Sequence, residues 1–154
     1  MKKIDLKHFV DEGALCLHET SKQEIKQLLE IVKRDLADAS IEVLSTDRRH
    51  ATAYNAVLQL ATILLHAAGY RAKAKVGHHW VTLKVIPEIL GKDKEIIEQS
   101  KYFNSCREKR NMTDYDLAGH ISEFEVKELI HEVKKFKSIV LHWIKVKHPH
   151  FLGL

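Results

Sequence analysis

Residues 122–147, S-E-F-E-V-K-E-L-I-H-E-V-K-K-F-K-S-I-V-L-H-W-I-K-V-K, carry the longest apolar stripe in the chain. Val126, Leu129, Ile130, Val133, Phe136, Val140, Trp143 and Ile144 recur at steps of three and four, the period of one helix face. Ser122 and Glu125 spell a capping box, in which the hydroxyl and the carboxylate each satisfy a backbone N–H that the first turn leaves open. Pro149 stops the helix, since its ring fits no helix interior. A helix this long needs partner helices to cover its stripe, and Phe124, Ile139, Leu141 and Val146 widen its apolar surface beyond one face, which predicts a further cover such as a second copy of the chain.

Working back from that stretch, the partners are legible. N-M-T-D-Y-D-L-A-G-H, residues 111–120, breaks the periodicity. The run from Asp93 to Arg110 turns Ile96, Ile97 and Phe103 inward. H-H-W at 78–80 opens a helix that Pro87 interrupts and restarts from a first-turn position. Y-R-A-K-A-K-V-G at 70–77 has no stripe and reads as a loop or frayed turn. Before it, a helix opening at Ser45, Thr46 or Asp47 carries Tyr54, Val57, Leu58, Ala61, Leu64, Leu65 and Ala68, with Gly69 as its left-handed stop. The first clear helix starts at the capping box Ser21–Glu24 and runs its stripe through Ile25, Leu28, Leu29, Val32, Leu36, Ala39 and Val43. These elements predict an all-α, up-and-down bundle of four to five antiparallel helices over residues 21–150, preceded by an N-terminal extension, 1–20. A length of 154 residues with 6 Gly and 2 Pro suits one domain of long helices and excludes a disordered or turn-rich β chain.

Twenty-five Lys plus Arg against 21 Asp plus Glu give a net charge of +4, a mild bias toward anionic partners. Cys16 and Cys106 stand in no metal or redox spacing and read as free thiols of a reducing compartment. The first residues lack an apolar run of signal-peptide length and no segment approaches a membrane span, so the expected location is the cytoplasm, with no membrane partner. No cofactor is expected. His78 and His79 would need two further ligands to hold zinc, and His120 and Cys106 are too loosely placed to supply them, so no stoichiometric metal is expected either.

The densest polar feature is C-R-E-K-R-N-M-T-D-Y-D, residues 106–116. Arg110 lies seven residues after Phe103 and three after Arg107, which places it at the edge of the face that Phe103 buries. A shielded guanidinium needs an acidic partner or an anionic ligand. Asp114, Asp116 or a glutamate nearby are the candidates for a purely internal pair. Arg48, Arg49 and His50 open their helix beside Asp47 and read most simply as a capped, solvated first turn; Lys145, Lys147, His148 and His150 complement the last helix's dipole.

The order of these pieces carries a resemblance: a capped helix ending L-A-D-A, a second opening D-R-R-H-A-T-A-Y-N-A and closing at G-Y-R, then G-H-H-W, then R-E-K-R-N-M-T-D-Y-D, and a last helix running into H-P. From Ser21 to His150 the chain resembles the HEPN superfamily, closest to its small stand-alone bacterial members. The resemblance implies a helical bundle that pairs as a homodimer with its sites facing across the interface. It also implies metal-independent ribonuclease activity, often that of a toxin with a nucleotidyltransferase-like antitoxin. The family signature is an arginine, often followed by a polar residue, with a histidine four to six residues on. Arg110 and Asn111 match its first part, and Tyr115 fills the histidine position. Histidine serves both proton transfers of RNA cleavage because its pKa lies near neutrality, whereas tyrosine, with a pKa near 10, is a poor base there. The expectation is therefore an RNA- or nucleotide-binding homodimer with weak or no nuclease activity. Arg110, Asn111 and Tyr115 form its site, and Arg107, Lys109, Arg48, His78 and His79 are the candidate nucleic-acid contacts. The alternatives are an active ribonuclease toxin, in which a histidine from elsewhere such as His78 or His120 moves the proton, and a non-catalytic partner-binding bundle.

Overall fold

The computed structural model describes residues 6–73, 78–115 and 119–153, with residues 78 and 112–115 given by backbone alone. Its main helices are α2 (Lys22–Ala39), α3 (Thr46–Ala67), α6 (Lys94–Tyr115) and α7 (Glu123–Lys147), joined by the short α4 (His78–Lys84) and α5 (Ile86–Leu90). A short α1 (Lys7–Asp11) precedes them and a 3₁₀ turn (Pro149–Leu152) follows. The chain is an all-α bundle, as its periodicity predicts. Among the described residues, no helix is long and apolar enough to cross a membrane.

α3 is the central helix. Thirteen of its residues are buried, from Arg49 to Ala67, which is more than one stripe and requires cover on several sides. α2 packs antiparallel on it, and α7 and α6 cover its other faces. Every residue of the α7 stripe named above is buried, and Phe103 of α6 meets Phe136 of α7 with ring centroids 5.2 Å apart. α7 has its complete capping box, and Ser45 caps α3 by accepting a hydrogen bond from the Arg48 N–H. Pro87 occupies the first turn of α5, and Gly69 takes φ +99° just after α3.

One end of the bundle is tied by a buried cation. Arg49 is 2% exposed; its Nε donates to the Ala39 carbonyl at 2.8 Å and its Nη1 to both Glu123 oxygens at 2.7 and 2.8 Å. Thr46 donates to the Ile121 carbonyl at 2.7 Å. The end of α2 and the beginnings of α3 and α7 therefore meet, so the solvated first turn expected for Arg49 and His50 is corrected: both are buried, and only Arg48 faces water.

Three further expectations change. Tyr70–Ala72, expected as a loop, is a strand, β2, paired antiparallel with β1 (Leu15–Leu17) in the register Leu15↔Ala72. Three-residue strands are too short for their alternation to be read, and their pairing is what defines them. Leu6, Phe9 and Leu15 of the N-terminal stretch belong to the core. α2 ends at Ala39, and Val43, expected on its stripe, is 90% exposed in the following turn. Because Leu15 is wholly buried, Leu15→Ala should lower unfolding stability by about 2–5 kcal/mol, read as a lower urea midpoint at unchanged m. A loss under about 1 kcal/mol would mean the N-terminal ribbon only decorates the bundle.

Candidate functional site

The region predicted to carry chemistry is helical. α6 continues through Tyr115, so Arg110, Asn111 and Tyr115 stand on the last turns of a helix and not in a loop. The polar run N-M-T-D-Y has no apolar stripe to announce a helix, and its Asn, Thr and Asp are indifferent helix formers, so packing of the earlier turns decides its state. Positions 111 and 115 lie one turn apart, while position 110 is about 100° around the axis from 111. Asn111 is exposed; the Tyr115 side chain, like that of His78, lies outside what is described.

Three elements converge here. α3 presents Asp47, His50 and Tyr54 at spacings of three and four; α6 presents Arg107, Lys109 and Arg110; α7 presents Glu125 from its first turn. The guanidinium carbon of Arg110 lies 5.7 Å from the centroid of the buried Tyr54 ring, within cation–π range. Lys109 forms an ion pair with Glu125, whose other oxygen accepts from the Ser122 N–H at 2.8 Å. Asp47 accepts from the Gly119 N–H at 2.6 Å. Arg107 donates to Asn104 at 2.9 Å and remains partly exposed. The Tyr54 hydroxyl and one Asp47 oxygen are buried with no hydrogen-bond partner among the described residues. The N-termini of α3 and α7 both end here and add their positive dipole ends to the basic side chains.

Titration at this end is shaped mainly by burial. His50, 2% exposed, is pushed down to about 4, first by desolvation and then by the Lys109 charge, against the pull of Glu125 and Asp47. Burial raises the Tyr54 hydroxyl well above its ordinary value despite Arg107 and Arg110 nearby. The Lys109 hydrogen bond, followed by that of the Ser122 N–H, holds Glu125 below the carboxylate range. Burial lifts the Cys106 thiol to about 11, which removes it as a nucleophile at neutral pH.

The site thus gathers Arg107, Lys109 and Arg110, with Arg48 exposed on the first turn of α3 at the same end. His79 is half-buried on α4, and His120 is exposed just before α7. His50 and Tyr54 are additions that the sequence reading missed as site residues. Their spacing of four on a helix opening with Asp47 was the available signal, masked because Tyr54 fits the core stripe equally well.

A second polar group lies at the opposite end of α3. Glu24 Oε1 sits 2.7 Å from His18 Nε2 and 2.6 Å from His66 Nδ1, and accepts from Thr20 at 2.8 Å. The predicted capping box at Ser21 is half made: Ser21 accepts from the Glu24 N–H, but the Glu24 carboxylate turns to the histidines. Partial burial raises its pKa, yet the bonds from His18 and Thr20 and the nearby imidazoles outweigh this and leave it lowered.

In comparisons with known proteins, this all-α bundle matches no protein-family model, no curated protein and no solved structure.

The pH dependence of stability tests the environment of His50. Its folded value of about 4 lies below the ordinary 6.5, so the unfolded chain takes the proton first. Its contribution is complete above pH 6.5 and is lost as pH falls toward 4, by about 3 kcal/mol in all. Urea unfolding of the wild type and of His50→Gln across this range should differ by that amount, with the variant the flatter of the two. Parallel curves would mean that His50 titrates normally.

Proposed function

We propose that the chain is a HEPN-like homodimer that binds RNA or a nucleotide through phosphate contacts at the α3–α6–α7 end and cleaves RNA weakly or not at all. The observation that carries this reading is the placement of Arg107, Lys109 and Arg110 on the last turns of α6 beside the N-termini of α3 and α7. Arginine and lysine there supply charge and hydrogen bonds to phosphate oxygens, and the helix N-termini favour an anion. Proton transfer is the part that lacks support. His50 is buried and stays neutral down to mild acid, so it offers only a weak, shielded base, and the Tyr54 hydroxyl is held too basic to give up a proton near neutrality. In this reading Tyr115 donates a hydrogen bond to phosphate without acting as the base.

Pairing is supported by Phe124, 73% exposed on the first turn of α7 between Glu123 and Glu125. Phe124 lies off the buried stripe of α7, and an identical chain related by a two-fold axis is the partner this reading assigns to it. Light scattering after size exclusion should give a dimer at tens of micromolar, and Phe124→Glu should shift it to monomer without lowering Tm by more than a few degrees. A wild-type monomer sinks the dimeric part of the reading.

Fluorescence anisotropy with a short single-stranded RNA at several salt concentrations tests the ligand. Arg107→Ala and Arg110→Ala should each weaken binding about tenfold and reduce the salt slope by about one, with circular dichroism unchanged. Salt-independent binding, or none, leaves Arg110 a structural cation and favours the partner-binding bundle. Rapid RNA cleavage abolished by Arg110→Ala favours the toxin and its nucleotidyltransferase-like partner, whereas slow cleavage accelerated by Tyr115→His supports the proposal.

A further inference from the structure

We propose that His18, Glu24 and His66 form a binding site for one divalent transition-metal ion of the zinc class, independent of the basic end of the bundle. His66 follows His50 by sixteen residues on α3, about 24 Å of helix, so an ion there has no part in phosphate binding.

The site is assembled by the fold. His18 follows β1, and its N–H donates to the Gly69 carbonyl at 2.9 Å, so the ribbon and the turn after α3 fix its backbone. Glu24 stands on the first turn of α2, and His66 on the last turn of α3. Their ligand atoms, two imidazole nitrogens and one carboxylate oxygen, all lie within 4.8 Å of one another. Two histidines and one carboxylate are a donor set suited to zinc and its neighbours, and bonds of roughly 2.0–2.2 Å in tetrahedral geometry place ligand atoms roughly 3.3 Å apart. Opening the two contacts of 2.6 and 2.7 Å to that separation takes a shift of only several tenths of an ångström.

The two S-x-x-E caps provide an internal comparison. At Ser122 the Glu125 carboxylate returns to the Ser122 N–H and completes the capping box. At Ser21 the same residue types meet the same helix start, yet the Glu24 carboxylate faces two imidazoles. The side chains of His18, Glu24 and His66 are 22%, 35% and 16% exposed, shielded but within reach of solvent. His18 and His66 line an open groove of 520 Å³ that is also lined by Thr20, Lys22 and His150. An ion held there would be within reach of solvent through this groove, which leaves room for a water ligand to complete its coordination.

Isothermal titration of the full-length chain, purified without an affinity tag, with zinc chloride is the direct test. The expected result is one ion per chain with a Kd at or below micromolar, and a Tm that rises on zinc addition. Glu24→Gln and His66→Gln should each weaken binding at least tenfold and abolish the Tm rise. His131→Ala with His142→Ala, two exposed histidines of α7, should change neither. Should the site variants fail to fold, cobalt absorption of the wild type decides: intense d–d bands of a four- or five-coordinate ion support the site, and the weak bands of an octahedral surface ion refute it. Substoichiometric binding, or equal zinc binding by the site variants, overturns the proposal and leaves the cluster as a hydrogen-bonded clasp between the ribbon and the helices.

Discussion

The Arg49 guanidinium is the constraint around which one end of the bundle is arranged. A buried cation needs partners for its donors, and here Nε meets the last carbonyl of α2 and Nη1 a carboxylate on the first turn of α7. That requirement brings three helix ends to one place. There the first turns of α3 and α7 meet the far end of α6, which carries Arg107, Lys109 and Arg110. The basic cluster is a consequence of this meeting of helix ends, as is the burial of His50 one residue on. Glu123 is half in water and Arg49 is not, so the two partners are unequal: removing the carboxylate leaves a cation still bonded to a carbonyl, whereas removing the guanidinium leaves a helix end without its donor.

The bundle was legible wherever burial follows a period. The α7 stripe, the α3 stripe, the Ser45 and Ser122 caps, Gly69 and Pro87 all act locally, and each sits where local rules place it. Elements defined by a distant partner escaped. Leu15–Leu17 and Tyr70–Ala72 make strands only because each meets the other across two helices. Residues 111–115 are helical because α6 is already packed. The site was legible in part for the same reason: Arg107, Lys109 and Arg110 announce themselves by charge, but Tyr54 and His50 look like core and cap until α6 is laid over them. His18 and His66 are 48 residues apart, and no spacing rule joins them to Glu24.

The two ends of α3 divide the molecule's polar chemistry. At its beginning, basic residues and helix N-termini gather positive potential, and buried titratable groups are held away from proton exchange. At its end, a carboxylate is shared by two imidazoles beside an open groove. An apolar shaft that includes Val57, Leu60, Ala61 and Leu64, all wholly buried, separates them. Electrostatic interaction across some 24 Å of packed helix, well beyond a Debye length at physiological salt, is weak enough for each end to be altered without retuning the other.

The β1–β2 ribbon also bears on how the chain leaves the ribosome. Its two strands bracket α2 and α3, so residues 6–73 hold a paired unit: α1, the helical hairpin and the strand that locks them. This unit can form before the second half of the chain is made. It is incomplete, because the α3 faces that α4, α5, α6 and α7 cover stay bare until those helices have been synthesised, the last of them at residue 147. During that interval, apolar surface of α3 stays exposed, and late arrival of α7 both finishes the fold and removes the hazard.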